Sequence, residues 1–144
     1  MPLDKALKIL REAWESGVES VSFTGGEPLL YPGIFRLLEE ASSLGMGVSI
    51  VSNGSTLTDE TVKKLARNDV YVYLSVDGRR DTHEKLRGLG TWRYVVEAAG
   101  RLAKEGLSYA TVTVLARETL KAIDHPVELA RRFNADEACI IPVM

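Results

Sequence analysis

The sequence predicts an α/β protein with a parallel sheet. Two observations carry this: stretches with apolar residues at helical spacing alternate with short β-rich runs, and glycines mark most of the breaks between them. Helical stretches of about ten residues or more suit right-handed crossovers between parallel strands. Five β-rich runs are too few for a closed eight-stranded barrel, so the pattern specifies an open or partial barrel, or a doubly wound sheet. The chain has 144 residues, of which 45% are apolar, enough for one domain with its own core.

The elements follow in order. Leu3, Ala6, Leu7, Leu10, Ala13 and Trp14 share one helical face, and Gly17 stops that helix before the strand "ESVSFT". Ile34, Leu37, Leu38, Ala41 and Leu44 repeat the spacing, with Gly45 as the stop before "GVSIVSN". Thr58 suits an N-cap, and Asp59 and Glu60 in the following turn meet the positive end of the helix dipole. Val62, Leu65 and Ala66 face inward on that helix, and "VYVYLSVD" forms the third strand. The stretch "DGRRDTHEKLRG", Asp77 to Gly88, reads as one long, charge-dense connection. Thr91 then caps a helix bearing Trp92, Val95, Val96, Ala99 and Leu102, which Gly106 ends before "YATVTVL". A last helix starts near Pro126 and leads into the strand "EACIIPV".

Composition removes several classes of function. With 18 basic and 20 acidic residues the net charge is −2, which favours neither nucleic acid nor an anionic membrane. Cys139 is the single cysteine, so no internal disulfide forms and no metal site can draw several thiolates from this chain. Apolar runs fall well short of a membrane span, and "MPLDKALKIL" lacks the basic-then-apolar order of a signal peptide. The expectation is a cytoplasmic protein with no membrane and no nucleic-acid partner, in one domain over 1–144 with no linker.

The unusual residues gather at strand ends, where parallel sheets bind ligands. "TGGEP" ends the first strand, "SNG" the second and "SVDG" the third. Gly25 and Gly26 let a ligand reach bare backbone groups, Glu27 offers an acceptor for an ammonium group, and Pro28 stiffens the exit. The same residues also suit a plain strand-to-helix turn, with Glu27 favouring the next helix N-terminus. Asn53-Gly54 fits a tight turn, although Asn53 presents both a donor and an acceptor. Ser75 and Asp77 point to one face of the sheet, the barrel interior if Val76 packs outward. His83 titrates near neutral pH and Arg87 offers a planar fork for a carboxylate, although a solvated, ion-paired loop is the simpler reading of both. His125 reads as a helix N-terminal residue and Cys139 as a small apolar one, neither with a chemical role.

Taken in order, "FTGGEPLL", "VSNGSTL", "LSVDG", "HEKLRG", "TVTVL" and a final strand ending near a proline resemble the radical S-adenosylmethionine core domain. The resemblance runs from about Leu3 to Val143 and is closest to the peptide-maturing branch with SPASM or twitch extensions. That branch has His-Asp where this chain has His83-Glu84. The resemblance implies a partial (βα) barrel in which Gly25, Gly26 and Glu27 hold the methionyl amino group of S-adenosylmethionine. It makes Asn53, Ser75 and Arg87 candidates for the cofactor's ribose or carboxylate, with Asp77 shaping the pocket. The implied chemistry is reductive cleavage of S-adenosylmethionine at a [4Fe-4S] cluster, giving a 5'-deoxyadenosyl radical that abstracts substrate hydrogen.

The departure is at the front, where the family has a first strand and a CxxxCxxC loop. One cysteine at the far end of the domain cannot replace three clustered ligands, so no metal-ligating residue is assigned and no cluster is expected on this chain alone. The leading expectation is therefore an incomplete radical S-adenosylmethionine enzyme, inactive as given, whose cluster loop comes from an upstream segment or a partner chain. Its substrate would be a peptide or small molecule. Two alternatives stand beside it: a degenerate domain that binds S-adenosylmethionine or a peptide without radical chemistry, and an ordinary α/β enzyme using Glu27 or His83 as acid or base. The absent strand leaves "ESVSFT" as an open edge.

Overall fold

Helix stops and strand alternation act where the sequence places them. The computed structural model describes residues 1–142. In chain order it contains α1 (Leu3–Glu15), β1 (Ser20–Phe23), α2 (Ile34–Ser43), β2 (Gly47–Ser52), α3 (Asp59–Arg67), β3 (Tyr71–Ser75), α4 (Arg80–Arg87), α5 (Thr91–Glu105), β4 (Tyr109–Leu115), α6 (Asp124–Arg132) and β5 (Glu137–Pro142). Single 3-10 turns occupy Pro28–Leu30 and Leu120–Ala122. Val143, which the sequence pattern adds to the last strand, lies outside the described residues.

All five strands are parallel, and their spatial order β1-β2-β3-β4-β5 is their chain order. Every crossover therefore steps the same way. A doubly wound sheet reverses its order partway, so that alternative is excluded and the partial barrel stands. Its covered face carries the core: Val48 and Ile50 of β2, Val72 and Leu74 of β3 and then Val76 pack against the helices with Leu38, Leu65, Val95 and Leu102. Alternation sends Ser49, Val51, Tyr71, Tyr73 and Ser75 to the other, concave face. Val76 packs outward, so Ser75 and Asp77 share the interior face as their spacing requires.

Local signals explain most boundaries. Thr58 caps α3 by accepting a hydrogen bond from Thr61 N at 3.2 Å, and Gly106 ends α5 at φ 70°. Two expectations need correction, and two are sharpened. Residues 80–87 are helical instead of a loop, because Asp81 sits in the first turn, Arg80 and Glu84 pair at i,i+4, and Lys85 and Arg87 occupy the last turn. Gly90, at φ 81°, takes the cap position of α5, and the hydroxyl of Thr91 instead donates to Gly88 O. Helix α6 starts at Asp124, which leaves Pro126 in its first turn, where a missing N–H costs nothing. Trp14 is 46% exposed although it shares the face of Ala6 and Leu10, because α1 borders the edge strand β1 and no further described strand covers its last turn.

Core geometry sets a first expectation. Leu38 is fully buried between α2 and the sheet, whereas Leu89 is 93% exposed. Leu38→Ala should lower unfolding free energy by about 2–5 kcal/mol in urea titrations, and Leu89→Ala should change it by less than about 0.5 kcal/mol. Equal effects of the two substitutions would refute this packing.

Candidate functional site

The first three strands deliver their chemistry to one rim, through short loops that follow each C-terminal end. After β1, Gly25 takes φ +146°, a conformation that side chains rarely adopt. A Cβ built on Gly25 or Gly26 meets nothing within 4 Å, so both present open backbone. Glu27 turns away from solvent and crosses to the loop after β2. Its carboxylate accepts from Asn53 N at 2.8 Å, from the hydroxyls of Ser52 and Thr56 at 3.1 Å, and from Leu29 N at 3.4 Å. Four donors meet the capacity of a carboxylate, so these oxygens are committed to the protein. The contact with Leu29 N also makes Glu27 the N-cap of the following turn.

The loop after β2 is built as tightly. Ser52 Oγ accepts from Gly54 N, and Asn53 Oδ1 accepts from Ser55 N at 2.9 Å in an Asx turn. Gly54 has φ +85°, and a Cβ there would come within 3.0 Å of Tyr94 O. Asn53 is therefore a turn residue, and its amide nitrogen is left without a protein partner among the described residues.

At the end of β3, Ser75 and Asp77 are 8% and 5% exposed. Asp77 receives Arg87 Nε at 2.5 Å and Val114 N at 3.4 Å. Its own N–H donates to Nδ1 of His83 at 3.1 Å. That bond requires an unprotonated Nδ1, which places the proton of a neutral imidazole on Nε2. Trp92 stacks edge-on to the His83 ring, with centroids 5.7 Å apart. Burial, with a contribution from the Arg87 charge, pushes the His83 pKa below its ordinary value, against weaker upward pulls from Asp77 and Glu84.

Asn53, Ser55, His83, Arg87, Thr91 and Tyr94 line a cleft of about 240 Å³ between the β2 loop and helices α4 and α5. Asn53 and Arg87 thus come together at one rim, with Gly25, Gly26 and Glu27 linked to them through Asn53 N. Ser75 stands on the concave face and outside the cleft lining. Sequence reasoning passed over Ser52 and Thr56, and it weighed His83 as an acid or base or as part of a solvated loop, not as a buried helix residue. The hydroxyls that flank Asn53-Gly54 were the available signal for the first two, since a carboxylate at the neighbouring strand end needs donors. For His83, a charge-dense segment hid a helix with one buried position.

Cys139 pairs in register with Val112 on the concave face. Burial and the Glu137 carboxylate, to which its thiol donates at 3.5 Å, push the Cys139 pKa up and hold it as a neutral thiol. This single sulfur does not fit an iron-sulfur cluster, which needs several thiolates. Among the described residues, Asp124, His125 and Glu128 bring ligand atoms within 4.8 Å of one another, but on the outer helix layer; His125 is tied to Glu128 at 2.7 Å. No described helix is long and apolar enough to cross a membrane.

Comparison with known proteins bears on the family and the fold. The model of the Radical SAM superfamily matches residues 1–130. The chain is 31% identical over 130 residues to the mycofactocin maturase MftC of Mycobacterium tuberculosis strain H37Rv, covering 88% of this chain and 33% of that protein. It is 35% identical over 130 residues to the PqqA peptide cyclase of Streptomyces rochei, covering 89% of this chain and 36% of the other. The crystal structure of Streptococcus suis SuiB bound to S-adenosylmethionine superimposes with a TM-score of 0.88 at 25% identity, over 100% of this chain and 34% of SuiB. The chain thus spans about a third of the length of these relatives.

The His83 lock has a pH signature. Folding holds its pKa below about 6.5, the unfolded value, so the unfolded state takes up the proton first as pH falls. Stability should therefore fall as pH drops below about 6.5 and level off below the folded pKa. Urea midpoints at pH 7.5 and 5.5 should separate further for the wild type than for His83→Gln; parallel shifts would contradict the assignment.

Proposed function

The chain belongs to the Radical SAM superfamily, and from that premise we propose that its strand ends form the S-adenosylmethionine site of an incomplete radical enzyme whose [4Fe-4S] cluster is held by residues outside these 144. The observation that carries the reading is the pairing of open backbone at Gly25 and Gly26 with a Glu27 carboxylate fully engaged by the next loop. Glu27 then holds the pocket in shape, and the backbone carbonyls beside it receive the methionyl ammonium. This revises the sequence reading, in which the Glu27 carboxylate itself was the acceptor.

Each remaining candidate has a free polar group. Arg87 uses Nε on Asp77, which leaves its terminal nitrogens for a carboxylate, and the Asn53 amide nitrogen faces the same cleft. Ser75 offers a hydroxyl from the concave face toward the ribose or carboxylate. Bound beside a reduced cluster, S-adenosylmethionine would supply the radical for hydrogen abstraction; these residues would bind and orient it and exclude water. Cys139, a single sulfur, cannot supply the several thiolates that such a cluster needs.

A segment that brings the cluster cysteines would have a place to dock. An apolar groove of about 350 Å³ runs beside the open edge of β1, with Ile9, Ala13, Val18, Val21 and Phe23 among its lining residues. An added parallel strand would satisfy the edge and cover the groove, and it is the natural carrier of the cluster cysteines. A peptide substrate is favoured because SuiB has been crystallised with the precursor peptide SuiA and the Streptomyces relative is a peptide cyclase. A domain that binds S-adenosylmethionine or a peptide without catalysis is the second reading, favoured by the single cysteine.

Two measurements test the proposal. Gly26→Ala should fold normally, because its Cβ meets nothing, yet weaken S-adenosylmethionine binding by roughly tenfold in calorimetry; unchanged affinity would place the ligand elsewhere. Anaerobic reconstitution with iron and sulfide should leave these 144 residues without a stable cluster, and co-expression with a segment carrying three cysteines should restore it. A [4Fe-4S] spectrum from this chain alone would overturn the incomplete-enzyme reading and, with it, the non-catalytic one.

A further inference from the structure

His83 stands out in the molecule as a polar side chain that is almost wholly buried, lines a cleft and has one ring nitrogen unused. It is 1% exposed, its Nδ1 accepts from Asp77 N at 3.1 Å, and its Nε2 has no partner among the described residues. Tyr71 Oη is the one fully buried side-chain polar atom without a partner among the described residues, so His83 Nε2 opens to the cleft, where water or a ligand oxygen can take its N–H. Its neighbours in the cleft are Arg87, with free terminal nitrogens, the amide nitrogen of Asn53 and the hydroxyl of Ser55. No carboxylate lines this cleft, because Asp77 is turned to Arg87 Nε and Val114 N. The cleft is therefore rich in donors and poor in acceptors, which selects an oxygen-bearing, acceptor-rich group.

We infer that His83 is a ligand-binding residue whose Nε2–H donates, beside Arg87, to an oxygen of the bound cofactor. This rests on the cofactor site proposed above and extends it to a residue whose sequence context suggested a solvated loop or an acid or base, not a cofactor contact. The Asp77 N–H bond gives His83 its tautomer, and the Trp92 edge contact fixes its ring plane, so the donor is set before the ligand arrives. The charged groups around the ring are Asp77, Glu84 and Arg87. Neutrality of the imidazole is the resting state that this environment favours.

Two substitutions separate the roles of the ring nitrogens. Asparagine places an acceptor near Nδ1 and removes the reach into the cleft, whereas glutamine places a donor near Nε2. S-adenosylmethionine affinity, measured by calorimetry at pH 7.5, should fall about tenfold in His83→Asn and stay within about threefold of wild type in His83→Gln. In the wild-type chain labelled with ¹⁵N-histidine, the Nε2 resonance should be that of a protonated nitrogen and should move on addition of S-adenosylmethionine. An unmoved Nε2 resonance on a chain that binds the ligand, or full affinity in His83→Asn, would overturn the His83 contact and leave the cofactor site standing. No binding to the wild type would sink the site and the contact together. If either variant fails to fold, the wild-type resonance decides alone.

Discussion

A half-buried carboxylate must find donors, and the structure of this rim follows from where Glu27 finds them. Desolvating a charge without hydrogen bonds costs several kcal/mol, in the range of about 2–7 kcal/mol even for a neutral polar group. Three of the four donors to Glu27 come from the end of β2 and the loop that follows it: Ser52 Oγ, Asn53 N and Thr56 Oγ1. The ends of β1 and β2 are thereby tied side chain to loop, beyond the last rung of their ladder at Phe23 and Ile50. Because the carboxylate is consumed, Gly25 and Gly26 are the open surface of the first strand end.

Asp77 solves the same problem one strand further on. Its carboxylate joins Arg87 on α4 to Val114 on β4, and its N–H holds His83. Two carboxylates thus act as hubs between neighbouring strand ends, and the cleft lies between the elements they fix. The Arg80–Glu84 pair on α4, whose guanidinium lies open to solvent, is worth at most about 1 kcal/mol. Geometry, more than charge pairing on the surface, holds α4 in position: the buried His83 ring wedged between Asp77 N and Trp92 does what that surface ion pair cannot.

The fold was legible because its signals are local. Periodicity at Leu37, Leu38 and Ala41, stops at Gly45 and Gly106, and alternation through Val72, Leu74 and Val76 each depend on a few neighbouring residues. The positions of the site residues were legible for the same reason, since Gly25, Asn53 and Ser75 mark strand ends. Their partners were not. The bond from Ser52 to Glu27 spans 25 residues, and nothing in "SNGST" says which carboxylate it meets. Helix α4 was hidden by composition: its one buried side chain is a histidine, so the apolar spacing that reveals other helices is absent.

Core and site occupy different faces, which bears on how chemistry can vary here. Leu38, Ile50, Leu65, Leu74 and Leu102 are fully buried or nearly so on the helix side, and they supply the apolar burial that stabilises the sheet. The concave side keeps Val114 and Ile141 at 41% and 52% exposure, and Tyr71 there has a buried hydroxyl with no partner among the described residues. Burial and the nearby Glu137 carboxylate hold that phenol protonated, with its pKa raised to about 12. Residues on that face can therefore change without removing the helix-side contacts that fold the domain. The two hub carboxylates do not share this freedom, because Glu27 and Asp77 belong to the rim and to the packing of the strand ends at once.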